Sequence, residues 1–164
     1  MEPQKEQAKI ILPEESFYLA ESKDKDGQMV LMVINSSLRH RRDDAILKQV
    51  FGYYCSIVFD YEDVDDNLWP TSEEFSVMRD YVERVDKAIK NDMNHPNALF
   101  VARITHAGTC QMIWMLNNPD ITIEYLDRVI ANKEQEREFE YQIESDVEWD
   151  SIGYFLQDFP EKEE

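Results

Sequence analysis

The sequence predicts an α+β fold: a ferredoxin-like βαββαβ sandwich over residues 52–146, preceded by a β-hairpin and followed by a short helix. Three observations predict it. From residue 52 the periodicity runs strand, helix, strand, strand, helix, strand, the order of a double split-βαβ unit. The two helix-period segments each carry one apolar stripe, so both need a sheet face to cover. Residues 138–146 alternate strictly, with Phe139, Tyr141 and Ile143 against Glu138, Glu140, Gln142 and Glu144, as a strand with one buried face does.

Taken in order, residues 1–15 are polar and mixed in charge and read as a frayed end, leaving 16–160 as one domain. FYLAES (17–22) and QMVLMVIN (28–35) flank an Asp26-Gly27 turn signal and form the hairpin, which either extends the sheet or covers a face. Residues 36–51 are ambiguous; the segment 43–51 suits a short helix. In 52–62, Tyr53, Cys55, Ile57, Phe59 and Tyr61 share one parity, which predicts a strand. Thr71 and Glu74 have capping-box spacing. Phe75, Met78, Val82, Val85, Ile89 and Met93 then share one face of a helix over 72–92. Strands follow at 98–106 and 109–116, joined by an Ala107-Gly108 turn and paired antiparallel. Asn117-Asn118-Pro119-Asp120 stops the second of them. Ile123, Leu126, Val129 and Ile130 mark a helix over 122–134 on the same face as the first. Trp149, Ile152, Phe155, Leu156 and Phe159 mark the closing helix.

The chain has 164 residues, 43% hydrophobic and 12% aromatic, enough for a core. It carries 35 acidic against 17 basic side chains, a net charge of −18. Such a surface repels polyanions, which argues against nucleic acid and anionic membranes as partners. No apolar run approaches the ~18 residues needed to cross a bilayer, and residues 1–15 do not resemble a leader. Cys55 and Cys110 sit in apolar runs and read as buried, reduced, unbridged thiols. The cytoplasm is the expected compartment.

No constellation for catalysis stands out. There is no glycine-rich phosphate loop and no metal-binding Cys or His pair, so no cofactor and no metal are implied. His40, His95 and His106 are scattered; His106 and Cys110 flank one turn, but nothing beside the thiol would lower its pKa. Asp63, Asp65, Asn67, Thr71 and Glu74 fall at the oxygen positions of an EF-hand loop, yet Leu68 stands where the turn needs Gly and a strand precedes in place of a helix. Trp114 and Trp149 read as core residues; Trp69, in a loop, is the candidate contact aromatic. The basic cluster Arg39, His40, Arg41 and Arg42 suits either an acidic ligand or the protein's own carboxylates.

Charge is concentrated. Residues 52–94 and 136–164 supply −16 of the −18. In the predicted sheet the end of the 52–62 strand lies beside the start of the last strand. That gathers Glu62, Asp63, Asp65 and Asp66 with Glu136, Glu138 and Glu140, next to Trp69. The cluster is either a solubilising face or a contact surface for a basic partner.

With these residues in view, the chain resembles a bacterial family, domain of unknown function 695. The likeness rests on residues 16–38, on GYYCSIVFDY before a loop and a helix, on VARITHAGTCQMIWML (101–116), and on FEYQIESDVEWDSIGYFLQDFP (139–160). Ala102 stands where that family usually has Gly, and Cys110-Gln111-Met112 where it commonly has Arg and aromatics. The resemblance implies a ferredoxin-like architecture related to the B-type inhibitors of ribonuclease E, and a regulator that binds protein; it transfers no functional residue. The functional expectation is therefore a non-catalytic acidic interaction domain, an inhibitor or immunity-type partner of a basic protein such as a nuclease. The rival is a small-ligand binder or enzyme with a carboxylate-lined cleft.

Overall fold

A computed structural model describes residues 12–159. All strands join one antiparallel sheet in the order β1-β2-β4-β5-β3-β6. The strands are β1 (Phe17–Lys23), β2 (Met29–Asn35), β3 (Tyr53–Asp60), β4 (Ala98–His106), β5 (Thr109–Leu116) and β6 (Phe139–Ser145). The helices are α1 (Ala45–Val50), α2 (Ser72–Lys90) and α3 (Pro119–Ala131), with 3₁₀ helices at Ser36–Arg41 and Asp150–Leu156. Of the two placements open to the hairpin, the sheet takes the first: β2 pairs with β4, and β1 becomes an edge strand.

The sheet has a core on each face. Alternation along the strands sends Cys55, Ile57, Phe59, Met112 and Trp114 to one side, where Met78, Val82, Val85 and Ile89 of α2 and Leu126 of α3 cover them. Tyr141 and Ile143 of β6 pack at its margin. The opposite core takes Ile34, Val101, Ala102, Ile113 and Met115, covered by Leu47 and Phe51 and by Trp149, Ile152 and Phe155 of the C-terminal segment. Both buried tryptophans satisfy their indole N–H: Trp114 donates to Asp86 at 2.8 Å and Trp149 to the Phe51 carbonyl at 2.9 Å.

Several local expectations need correction. Residues 1–11 of the expected frayed end lie outside the described residues, but Leu12 packs on the core and Glu15 pairs with Lys90 at 2.5 Å. Helix α2 ends at Lys90, with Asn91 at φ 65, so Met93 falls outside it and is exposed. Helix α3 starts three residues early: Asn118 caps it and Pro119 takes the first position, where a missing N–H costs nothing. The Asn-Pro signal that stops β5 also starts α3. Thr71 caps α2 by accepting from the Glu74 N–H, but Glu74 does not reach back to Thr71; its carboxylate accepts from the Glu62 N–H at 2.7 Å.

Candidate functional site

The acidic end is built where β3 leaves the sheet. The two strands register with Phe59 opposite Phe139, and the Asp60 N–H donates to the Glu138 carbonyl at 2.9 Å. The end of β3 thus lies beside the start of β6. Beyond Asp60 the chain forms a tight loop closed by an isolated bridge between Val64 and Pro70. The Asp65 carboxylate accepts from the N–H groups of Asn67 and Trp69 at 2.8 and 3.0 Å, an Asx-type bracket. Asp63 accepts from the Thr71 hydroxyl at 3.0 Å. Asp63 and Asp65 are exposed but engaged by the loop's own hydroxyl and N–H groups, while Asp66 is exposed without such a bond.

Leu68 occupies the tip at φ 62, in the left-handed region that branched side chains avoid. The expectation that Leu68 resists this conformation is therefore wrong: the bracket at Asp65 and the bridge at Pro70 impose it. The side chain remains 43% exposed, near Gly108 of the β4–β5 turn. Trp69 beside it is half-buried, and its indole N–H has no hydrogen bond among the described residues. The result is a bracketed loop with Leu68 exposed and Trp69 half-buried; Glu62, Asp63, Asp65 and Asp66 are exposed in this segment, as are Glu138 and Glu140 at the start of the neighbouring strand.

The cluster is less bare of positive charge than the sequence suggests. Arg137 shares the inward parity of Phe139, Tyr141 and Ile143, and so reaches under α2 to the buried Glu74, Nε to Oε2 at 2.8 Å. It also lies 3.5 Å from Glu62. Arg84 of α2 forks onto Glu136. Hydrogen bonding to Arg137 holds the Glu74 carboxyl below its ordinary range, and Arg84 does the same for Glu136. Glu136 is therefore a paired structural acid, not a free member of the patch. Sequence reasoning passed over Arg84 and Arg137; the parity of Arg137 was the available signal.

Glu74, last of the EF-hand-like oxygens, is engaged by Arg137 and by the Glu62 N–H. Among the described residues, no group of three or more His, Cys, Asp or Glu side chains is disposed to hold a metal ion. His106 and Cys110 do not pair: the His106 Nε2 is 2.7 Å from Asp24, while Cys110 is buried in the helix-side core, its thiol pushed up to about 11 by burial. Cys55 is likewise unbridged and pushed up to about 12. The basic cluster turns to the chain's own groups, with Arg41 on Asp44, Arg39 on Asp158 and Arg42 donating to the Leu156 carbonyl. No helix among the described residues is long and apolar enough to cross a membrane.

Residues 12–157 match a family described as "Family of unknown function (DUF695)". No curated protein matches the chain, and no solved structure does.

Proposed function

We propose that this chain, which belongs to the family of unknown function DUF695, is a non-catalytic interaction domain that binds a basic protein through the 62–71 loop. One observation carries the reading: the bracketed loop exposes Leu68, with Trp69 half-buried beside it, in the same segment as the exposed acids Glu62, Asp63, Asp65 and Asp66. An apolar anchor ringed by charge is the anatomy of a protein-binding patch. A fixed loop loses little freedom on binding. The uncompensated acids would steer a basic partner toward it.

In its finer form the proposal places the chain in the bacterial cytoplasm as an inhibitor or immunity-type regulator of a basic enzyme such as a nuclease. It also assigns β3 to β6, with α2 and α3, a ferredoxin-like arrangement like that of the B-type ribonuclease E inhibitors. The order β4-β5-β3-β6, all antiparallel, supports that assignment. The rival, a carboxylate-lined cleft, has less support, because Glu15 and the α2 residue Asp86 are both paired with Lys90.

The test is affinity capture from a bacterial lysate with the wild-type chain and with the double variant Leu68→Ser, Trp69→Ser. The expected result is a basic protein retained by the wild type at low salt, eluted by salt, and not retained by the variant. Equal retention by both would remove the loop from the interface.

A further inference from the structure

The hairpin carries the sheet beyond the reach of the two helices, so a groove runs between α2 and β1–β2. It measures about 340 Å³, within the range of small-molecule sites. Its apolar lining is Phe17, Val33, Val82, Phe100 and Met112. Phe17 of the edge strand stands edge-on to Phe100, ring centroids 6.1 Å apart, and is itself 57% exposed.

Two arginines face this groove, Arg79 from α2 and Arg103 from β4. Arg103 gets there through an irregularity. The β4–β5 register slips between Phe100 and Ala102, so Val101 and Ala102 both join the opposite core and Arg103 emerges on the face of Phe100. Bulges commonly re-aim a side chain in this way. There Arg103 stands between Val33 of β2 and Met112 of β5.

Neither guanidinium has a carboxylate partner among the described residues. Arg79 makes only a 3.5 Å contact with the Ser76 hydroxyl, and Arg103 is half-buried with no hydrogen bond or ion pair. In a chain with 35 acids to 17 bases this is unexpected, since a half-buried cation is costly unless paired. The groove's own acids do not serve. Glu15 and Asp86 are bound to Lys90, and Asp86 also accepts from Trp114. Glu83, one turn from Arg79, is exposed and forms no ion pair with it among the described residues.

We infer that the groove binds a small organic monocarboxylate with an apolar body, its carboxylate held between Arg79 and Arg103 and its alkyl or aryl portion lying along Phe17, Phe100 and Met112. Guanidinium suits planar, forked recognition of a carboxylate. Because the net charge of the chain opposes an anion at long range, recognition arises at contact, from these two cations and the apolar walls. The site lies on the flank of α2 facing β1, away from Arg84, which faces β6.

The test is titration of the full chain with octanoate and with 3-phenylpropionate, followed by isotope-edited NMR and calorimetry, with octanol as an uncharged control. Both acids are expected to shift the amides of Phe17, Val33, Val82 and Met112. Octanol is expected to bind at least about tenfold more weakly, as loss of a charge-assisted contact implies. Arg79→Gln, an exposed change that leaves the core intact, and Arg103→Gln should each weaken octanoate about tenfold, with partial recovery in Arg103→Lys. Binding of the alkyl chain but not the aryl acid narrows the ligand to aliphatic acids and still supports the site. Octanol binding as tightly as octanoate, an Arg79→Gln variant with unchanged affinity, or no shift in the groove with either acid would each overturn it.

Discussion

Arg137 and Glu74 lock the last strand to the first turn of α2: the guanidinium at the head of β6 closes on a carboxylate that is 4% exposed. This one pair ties together elements 63 residues apart in sequence and fixes where β6 begins.

Removing one partner of such a pair leaves an uncompensated buried charge, which typically costs about 3–5 kcal/mol. Glu74→Gln and Arg137→Met should each lower unfolding free energy by that order at pH 7. The carboxyl of Glu74 is depressed below its ordinary value of 4.5 in the folded state. The stability it confers is therefore present above 4.5 and lost as pH falls through the lower, folded value. Urea unfolding at a series of pH values should show the gap between wild type and Glu74→Gln closing with acid. A gap that stays constant down to pH 2 would contradict the pairing.

Asp65 shapes its loop, so a charge-reversal test of the patch must spare it. Asp66→Lys with Glu138→Lys touches only exposed acids without hydrogen-bonded side chains. The double variant should keep the wild-type circular dichroism spectrum and gain up to about 1 kcal/mol at low salt, by relief of repulsion. Against a basic partner it should associate more slowly and with a shallower salt dependence. An on-rate indifferent to salt and to this substitution would leave the patch a solubility face.

Burial raises both thiols, Cys55 to about 12 and Cys110 to about 11. Only the thiolate reacts, so iodoacetamide at pH 8 should modify neither in the folded protein and both in guanidinium. Mass spectrometry reads this directly. Rapid native labelling of either residue would mean that its strand opens.

Calcium should bind no tighter than about 10⁻³ M, outside the sensor range of EF-hands. The reason is now different from the one the sequence offered. Leu68 does adopt the left-handed turn, but Glu74 is engaged by Arg137 and Asp65 by backbone N–H groups. Micromolar affinity in calorimetry, abolished by Asp63→Ala, would refute this.

The fold was largely legible because its signals are local. Strict alternation in 139–145, the Asp26-Gly27 turn, and the three-four spacing from Phe75 to Ile89 each name an element within its own residues. Helix ends were legible only in part, since Pro119 carries two instructions and the Asn91 turn has no glycine. The candidate loop was visible as composition but not as shape: nothing in DVDDNLWP announces that Asp65 folds back on Asn67 and Trp69. Least legible was Arg103. A reader of parity places Val101 and Arg103 on one face, and only the slipped register of β4, set by its two neighbours, separates them.

Because β3 lies between β5 and β6, this interior strand is made before either of its neighbours. Once it has emerged from the ribosome, β3 carries Cys55, Ile57 and Phe59 on one face with both hydrogen-bonding edges free. Only α2 can shield that face until Trp114 and its strand are synthesised. Such an unpaired apolar strand is a template for pairing between chains. Slowing translation in the interval after β3 has emerged and before β5 has emerged should therefore lower the yield of soluble protein while leaving the stability of the finished molecule unchanged.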